Sequence, residues 1–471
     1  MDDLTGAAGD RVTERYLRDC LTPDSRLLTA MSDAALPPLL AADSGQRLFP
    51  RPLFVEEAQV RSFAEDIAGV FDLFASLPSR LFGGDLERYC AALSIGERRT
   101  RMITRLGGAT PPRYGRADMY HDGTAFRLLE FNIASELGGI ERSGELPRLL
   151  LEVEAFARFA KEHDLAYTDT GRMVADTLRT AGTEVASGRE PVIALLEAPG
   201  GLGAYGGAWR AFEELMRGFG LDFHIGEIDD VRAEGDRILL DGRRLDVILR
   251  CFSADEMLEL RDGEALLEPV YRAVAAGTLA LWTPMESNLF NNKGCFAMVS
   301  DPRFQSDFTA AERALVERVV PWTRAIGGDS GHDTGALPDE FMDRRAELIL
   351  KPNALYGGVG IVAGWEADEA AWRRALESVD AAGAIVQQRV TPRYEPVVDP
   401  ETGRLERWQA AWGMFLTPQG YAGTYARALP ADESAVIGIG SNAKTRTAGV
   451  FTFDKHNRHD EHDKQEIREA I

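Results

Sequence analysis

Residues Pro191 to Leu196, PVIALL, form an uncharged apolar run, followed by a Gly-rich stretch and a helical pattern from Trp209 to Gly218. A run that is apolar at successive positions reads as a strand buried on both faces, and strand followed by helix is the repeating unit of covered parallel sheets. Strand-like Leu221 to Ile225, Arg237 to Leu240, an Asp241-Gly242 turn and Leu245 to Leu249 continue a βαβ-like layout with an added hairpin. A small Rossmann-like α/β domain is therefore expected at about 190–280.

The flanks differ from it. Residues 1–105 alternate apolar and charged positions at helical spacing, as in Val60 to Leu77, with breaks near Pro37 and Pro50, and read as a helical segment. In 106–189, Ala117 to Tyr120, an Asp122-Gly123 turn and Phe126 to Ile133 have the pattern of a β-hairpin, after which helical periodicity returns from Leu146 to Ala181. Residues 281–455 carry strand Glu347 to Lys351, a Gly-rich turn, helix Glu366 to Val379, strand Ile385 to Arg389, and strands Trp408 to Leu416 and Tyr421 to Leu429, an α+β mixture. The tail, 456–471, is almost wholly charged. Its His456, His459 and His462 read as a solvated tail rather than a metal site.

At 471 residues the chain exceeds one ordinary domain, and 45% hydrophobic with 27% charged residues suits a folded globular protein. Lys and Arg total 53 against 75 Asp and Glu, a net charge of −22 whose field repels nucleic-acid phosphates and anionic lipid. An anionic ligand would need a local cluster of cations. Cys20, Cys90, Cys251 and Cys295 lie far apart without zinc-ligand spacing, as buried thiols do. The N-terminus has no basic region followed by an apolar stretch, and the longest nearly uncharged run, Ala273 to Met285, is too short to span a bilayer, so a cytoplasmic location is expected.

Four strings carry chemistry. In Leu128-Leu129-Glu130-Phe131-Asn132-Ile133 the strand period of two puts Glu130 and Asn132 on one face, with Leu129, Phe131 and Ile133 on the other. A carboxylate beside an amide oxygen suits Mg²⁺, although a half-exposed strand with a wet face has the same pattern. Paired glycines follow at Gly138-Gly139. The second string, Leu348 to Ile361, is a buried strand ending in Lys351 and then a loop with Gly357, Gly358 and Gly360, whose amides suit phosphate oxygens. It is not the G-x-x-x-x-G-K-[ST] loop, because Lys precedes the glycines. Third, Lys293 in Asn291-Asn292-Lys293 opens a helical run, an unfavourable place for a cation unless an anion meets it. Fourth, Ala384 to Val390 is a strand whose backbone could hydrogen-bond an adenine edge.

In their order these strings resemble the circularly permuted ATP-grasp ligases, the group of eukaryotic-type glutathione synthetase and glutathionylspermidine synthetase, over about residues 110–450. Glu130-Phe131-Asn132 precedes both lysines, as in that group. The resemblance is carried by LLEFNIASELGGI, NNKGCFAM and KPNALYGGVGI. It implies Mg²⁺ at Glu130 and Asn132, ATP phosphates at Lys293 and Lys351, and a triphosphate loop at Gly357, Gly358 and Gly360. Adenine falls near Gln387, Gln388 and Val390, and carboxylate-bearing substrate near Arg116, Ser135 and Arg250. Arg427 and Asn442 lie where the C-terminal part returns to the active site. The chain departs from glutathione synthetases at Leu355, where they carry a metal-binding Glu. Either Asn353 contributes an oxygen to a second ion, or one ion suffices.

What the resemblance implies is formation of an amide from a carboxylate and an amine through an acyl phosphate, with release of ADP and phosphate. Glutathione itself is not implied, and the quaternary state stays open between monomer and homodimer. Three alternatives fit the same residues: an ATP-binding module that has lost catalysis and acts through partners, a small-molecule kinase, and an adenylating ligase that releases AMP.

Overall fold

The computed structural model describes residues 10–38, 47–106, 110–327, 338–355, 357–434 and 436–454, so the three tail histidines lie outside the described residues. The largest unit is a seven-stranded sheet: β1 (Leu53–Glu56), β2 (Gly115–His121), β3 (Phe126–Asn132), β15 (Tyr394–Val398), β16 (Leu405–Thr417), β17 (Gly420–Pro430) and β18 (Arg446–Phe453). Its order is β1-β18-β17-β16-β2-β3, with β15 also on β16, and every pairing is antiparallel except β1 with β18.

Helix α1 (Glu57–Phe82) lies across one face of this sheet. Val60, Phe63, Ile67, Val70, Phe71 and Phe74 recur at three- and four-residue spacing and are buried in one core with Phe126, Leu128, Phe131 and Trp412 of the strands. Ring pairs Phe63–Phe126 (5.4 Å) and Phe71–Phe131 (6.1 Å) join the helix to β3. Burial of each such side chain stabilises by roughly 1.5–3 kcal/mol, so the sheet's other face is left for polar work.

The expected small α/β unit is present. β4 (Val192–Glu197), β5 (Asp222–Glu227), β9 (Val247–Arg250) and β10 (Ala280–Trp282) form a parallel sheet in the order β10-β9-β4-β5. Along β4, Ile193 and Leu195 enter one core while Ala194 and Leu196 enter another, which is why PVIALL is apolar throughout. The helix after β4 spans Gly201–Gly218 and so begins earlier than its apolar pattern suggests. Between β5 and β9 lies a three-stranded meander, β6 (Arg232–Glu234), β7 (Arg237–Leu240) and β8 (Arg243–Arg244).

A third sheet is antiparallel, in the order β11 (Thr323–Ile326), β14 (Ala384–Gln388), β12 (Leu348–Pro352) and β13 (Val362–Ala363). Leu348 and Leu350 are buried on its far side with Trp372 and Leu376, while Ile349 and Lys351 face a cavity.

Two expectations need correction. Residues 1–105 are not wholly helical: Leu53 to Glu56 pair in parallel with Val450 to Phe453. Leu53 and Val55 enter the main core and Phe54 another, so a short strand buried on both faces lies hidden beside the long helix. In β3 the alternation does not hold through Leu129. The pairing shifts by one residue between Asp118/Met119 on β2 and Leu128/Glu130 on β3. This bulge buries Leu128 and turns Leu129 toward the cavity beside Glu130 and Asn132.

Candidate functional site

A cavity of ≈ 650 Å³ lies between the polar face of the large sheet and the antiparallel sheet, with walls from β2, β3, β12, β14, β16 and β17. The β2–β3 hairpin that supplies its floor is closed by Asp122, whose Oδ1 accepts from the amides of Thr124 (2.8 Å) and Ala125 (2.9 Å). Opposite it, Ile349 and Lys351 on β12 project with Gln387 on β14.

Both lysines singled out from the sequence reach this place. Lys351 Nζ donates to Gln387 Oε1 (2.7 Å) and to the Leu129 carbonyl (3.1 Å), so the antiparallel sheet is tied to the bulge. Lys293 Nζ lies 3.0 Å from Glu130 Oε1 and donates to the Leu355 carbonyl at 2.9 Å. The anion that offsets the lysine at the start of helix α2 (Gly294–Ser300) is thus Glu130. Burial, more than the neighbouring Lys293, pulls the Lys351 ammonium down to about 8, against the opposing pull of Glu130 and Asp118.

Arg116 grips Asp118 through both Nε (2.6 Å) and Nη2 (2.9 Å), and Arg427 Nη2 meets the same carboxylate at 2.9 Å. Burial opposes the charge on Asp118, yet the two guanidiniums outweigh it and hold the carboxyl at about 2. Asn132 spends its amide nitrogen on Asp118 Oδ2 (3.4 Å) and the Arg116 carbonyl (3.5 Å), so its oxygen is the end available to a cation. Asp118, Glu130 and Asn132 thereby bring two carboxylates and an amide oxygen together, a hard oxygen set that fits Mg²⁺. Among the described residues no group of three or more His, Cys, Asp or Glu is placed to hold a metal.

Gly357 and Gly358 line the cavity with φ of +65° and +83°, and Gly360 has φ +73°. A Cβ on Gly358 would come within 2.7 Å of Val436 Cγ1, so the glycine loop lies against the segment joining β17 and β18. That segment contributes Val436, Ile437, Gly438, Ile439 and Gly440 to the wall. Gln387, Gln388 and Val390 also line it, but the backbone of 384–388 is engaged by β11 and β12, and the Arg389 amide by the Glu347 carbonyl. Among the described residues no backbone hydrogen bond engages the Val390 amide.

Other expected residues fall elsewhere. Arg250 is fully buried and bound to Glu136 and Thr283, while Ser135 Oγ pairs with Thr283 Oγ1 at 3.0 Å, and none of these four lines the cavity. Asn442 Oδ1 accepts from the Lys444 amide (2.8 Å) and shapes the turn behind the wall. Asn353 is buried, donates to the Ala382 carbonyl (3.4 Å), and its Oδ1 has no hydrogen-bond partner among the described residues. The Gly-rich start of helix Gly201–Gly218 is closed by an internal anion, Glu227, which accepts from the Gly200 and Leu202 amides at 2.9 Å each.

Sequence reading missed three cavity-lining residues, Asp118, Arg142 and Tyr425, and the 436–440 wall. For Asp118 a signal existed: it lies two residues after Arg116, on the same face of a strand expected to pair with the E-x-N strand. The wall segment has no periodicity to announce it.

No protein-family model and no curated protein matches this chain. Among solved structures, a glutathione synthetase-like effector from Globodera pallida in its apo form superimposes with a TM-score of 0.55 at 12% identity, covering 92% of this chain and 98% of that one. This chain shares the fold of that glutathione synthetase-like effector. A Methylobacillus flagellatus protein provisionally named gamma-glutamylcysteine synthetase matches at a TM-score of 0.41 and 12% identity, covering 75% of this chain and 84% of that one, too low to carry an argument. Among the described residues no helix is long and apolar enough to cross a membrane.

Proposed function

We propose that this chain is an ATP-dependent carboxylate–amine ligase of the circularly permuted ATP-grasp kind. The observation that carries the reading is one of charge. In a strongly acidic protein, Arg116, Arg427, Lys293 and Lys351 gather around Asp118 and Glu130, a local group of four cations about two carboxylates suited to a triphosphate, at one end of a cavity otherwise lined by Arg142 and Arg389 and by Glu141, Glu366 and Glu433.

In this reading Lys293 and Lys351 neutralise phosphate oxygens, and the amides around Gly357, Gly358 and Gly360 wrap them. Gln387, Gln388 and Val390 line the adenine end. Asp118, Glu130 and Asn132 would hold Mg²⁺, whose contribution is to offset charge that builds up on the transferring phosphoryl oxygens. Arg116 and Arg427 fix Asp118 and turn their remaining donors toward a substrate carboxylate. That carboxylate takes the γ-phosphoryl group and ADP leaves. An amine then forms the C–N bond as the C–O bond to phosphate breaks, with loss of the amine's proton. Exposed Leu355 and Val359 flank the loop glycines, and closure of this loop would shield the acyl phosphate from water.

The test is ADP and phosphate release by purified protein with Mg-ATP and pooled acids and amines, with mass spectrometry of the product. Glu130→Ala should abolish ADP formation, and because it leaves buried Lys293 without its anion, the variant is first shown to be folded by circular dichroism. Full turnover in that variant would remove the metal assignment.

A further inference from the structure

Tyr425 on β17 is 4% exposed and lines the cavity, yet its hydroxyl has no hydrogen-bond partner among the described residues. Two glycines make room for its ring: a Cβ on Gly139 would come within 2.6 Å of Cζ, and one on Gly413, opposite it on β16, within 2.7 Å of Cε1. The guanidinium carbons of Arg116 and Arg427 each lie 5.7 Å from the ring centroid. The ring is thus held between glycines and guanidiniums, and its O–H is left to donate to something the chain does not supply. Among the described residues Arg427 hydrogen-bonds only through Nη2, to Asp118, so its Nη1 is open as well. A carboxylate accepts a phenol hydrogen and a guanidinium hydrogen together.

Arg116 ties this point to the neighbouring flank. Its Nη1 donates to the Gly138 carbonyl (2.7 Å), and a Cβ on Gly138 would meet nothing within 4 Å, although Gly138 has no left-handed φ that calls for a glycine. The room in front of Gly138 therefore belongs to the cavity and not to the fold. Helix Gly201–Gly218 packs against helix Ile140–Leu150, which begins after Gly139, and brings Ala208 and Trp209 to the same flank. The indole N–H of Trp209 donates to Glu197, which is 2% exposed and lies outside the cavity, so the ring turns its polar edge away and offers carbon to the cavity. The charges of this flank, Glu141 and Arg142, are paired at 3.1 Å. An ionic group gains little there, whereas an aromatic ring can pack on Trp209.

We propose that the acid this cavity takes is an aryl-substituted carboxylate: its carboxylate accepts from the Tyr425 hydroxyl and Arg427, and its ring lies in the slot between Gly138 and Trp209. Calling that carboxylate the group that is phosphorylated rests on the ligase reading. The slot rests on the contacts alone.

Titration calorimetry on the full chain without nucleotide, with 3-phenylpropionate, propionate and phenethylamine as probes, tests this. The wild type should bind 3-phenylpropionate about tenfold or more tightly than either of the others. Gly138→Val, whose Cβ enters the slot without meeting the chain, should erase the preference over propionate. Tyr425→Phe keeps the ring between its glycines and removes only the hydroxyl. It should weaken 3-phenylpropionate about tenfold, and it decides the matter if Gly138→Val does not fold by thermal unfolding. A wild type that binds 3-phenylpropionate no better than propionate, one that prefers phenethylamine, or either folded variant with undiminished affinity for 3-phenylpropionate overturns the proposal. Ring-dependent binding in a protein that releases no ADP with any acid–amine pair would sink the ligase reading and leave the slot. ADP release with equal kcat/KM for propionate and 3-phenylpropionate as the acid would do the reverse.

Discussion

Asp118 and Glu130 stand directly opposite each other across the β2–β3 pair, yet different cations neutralise them: Arg116 and Arg427 hold Asp118, and Lys293 holds Glu130. The two carboxylates are side by side only because the hairpin carries a bulge, and their cations come from β2, β17 and the start of helix α2. The cavity is therefore a joint between sheets that the chain builds far apart in sequence.

Asp118→Asn should cost more than an exposed ion pair would. It leaves Arg116 and Arg427, with side chains only 11% and 15% exposed, without their shared anion. A loss of about 3–5 kcal/mol is expected, the size typical of breaking a buried pair from one side. Urea unfolding with an unchanged slope and a lowered midpoint would show it, and a loss below about 1 kcal/mol would place the pair with surface bridges.

Lys351 should make nucleotide binding proton-linked. Its ammonium is lowered to about 8 by burial, and phosphate oxygens would favour the charged form and raise it again. ATP binding just above pH 8 should therefore take up protons. Calorimetry in two buffers of different ionisation enthalpy measures the uptake, and Lys351→Met should abolish it. For stability the sign is the reverse of the usual lysine: the folded value lies below the unfolded one, so the penalty is present below about 8 and is relieved as pH rises toward the unfolded value.

How much of this was legible follows from how local each signal is. The E-x-N strand, both lysines and the loop glycines are readable because each sits within a few residues of a strand or helix end that the hydrophobic pattern marks. The bulge at Leu129 is not, since it arises from pairing with β2 and reverses a face that strict alternation assigns. The pairing of Leu53 to Glu56 with the last strand is likewise invisible, because parallel partners at opposite ends of a chain share no local pattern. Arg250 shows the limit most plainly. An arginine at a strand end looks like a ligand clamp, and only coordinates reveal Glu136 already in its grip.

His121 predicts an acid transition. Its ring is 2% exposed, accepts from the Gly123 amide through Nδ1 (3.1 Å), and is driven down to about 4, chiefly by burial and then by Arg393. The folded state thus binds fewer protons than the unfolded one between about 4 and the ordinary 6.5, so this group's stability is full above 6.5 and is lost as pH falls through 4. The loss should approach about 3 kcal/mol. Unfolding midpoints measured from pH 7 down to 4 should fall, and His121→Gln should flatten part of that slope.

Gly358→Ala should damage the site more than the fold. The position needs φ +83°, and the added methyl would meet Val436 of the facing wall at 2.7 Å. A rise in KM for ATP with a thermal midpoint little changed is expected. A variant with unaltered kinetics would separate the glycine loop from the 436–440 wall.

The most direct measurement is ADP release by the wild type and by Glu130→Ala, with an acid and an amine supplied together and separately. The account predicts that ADP and phosphate appear in equal amounts only when both partners are present, alongside an amide product, and that the variant gives neither. Wild-type protein that releases AMP and pyrophosphate, or that yields no ADP with any pair, or a variant at full turnover, would contradict it.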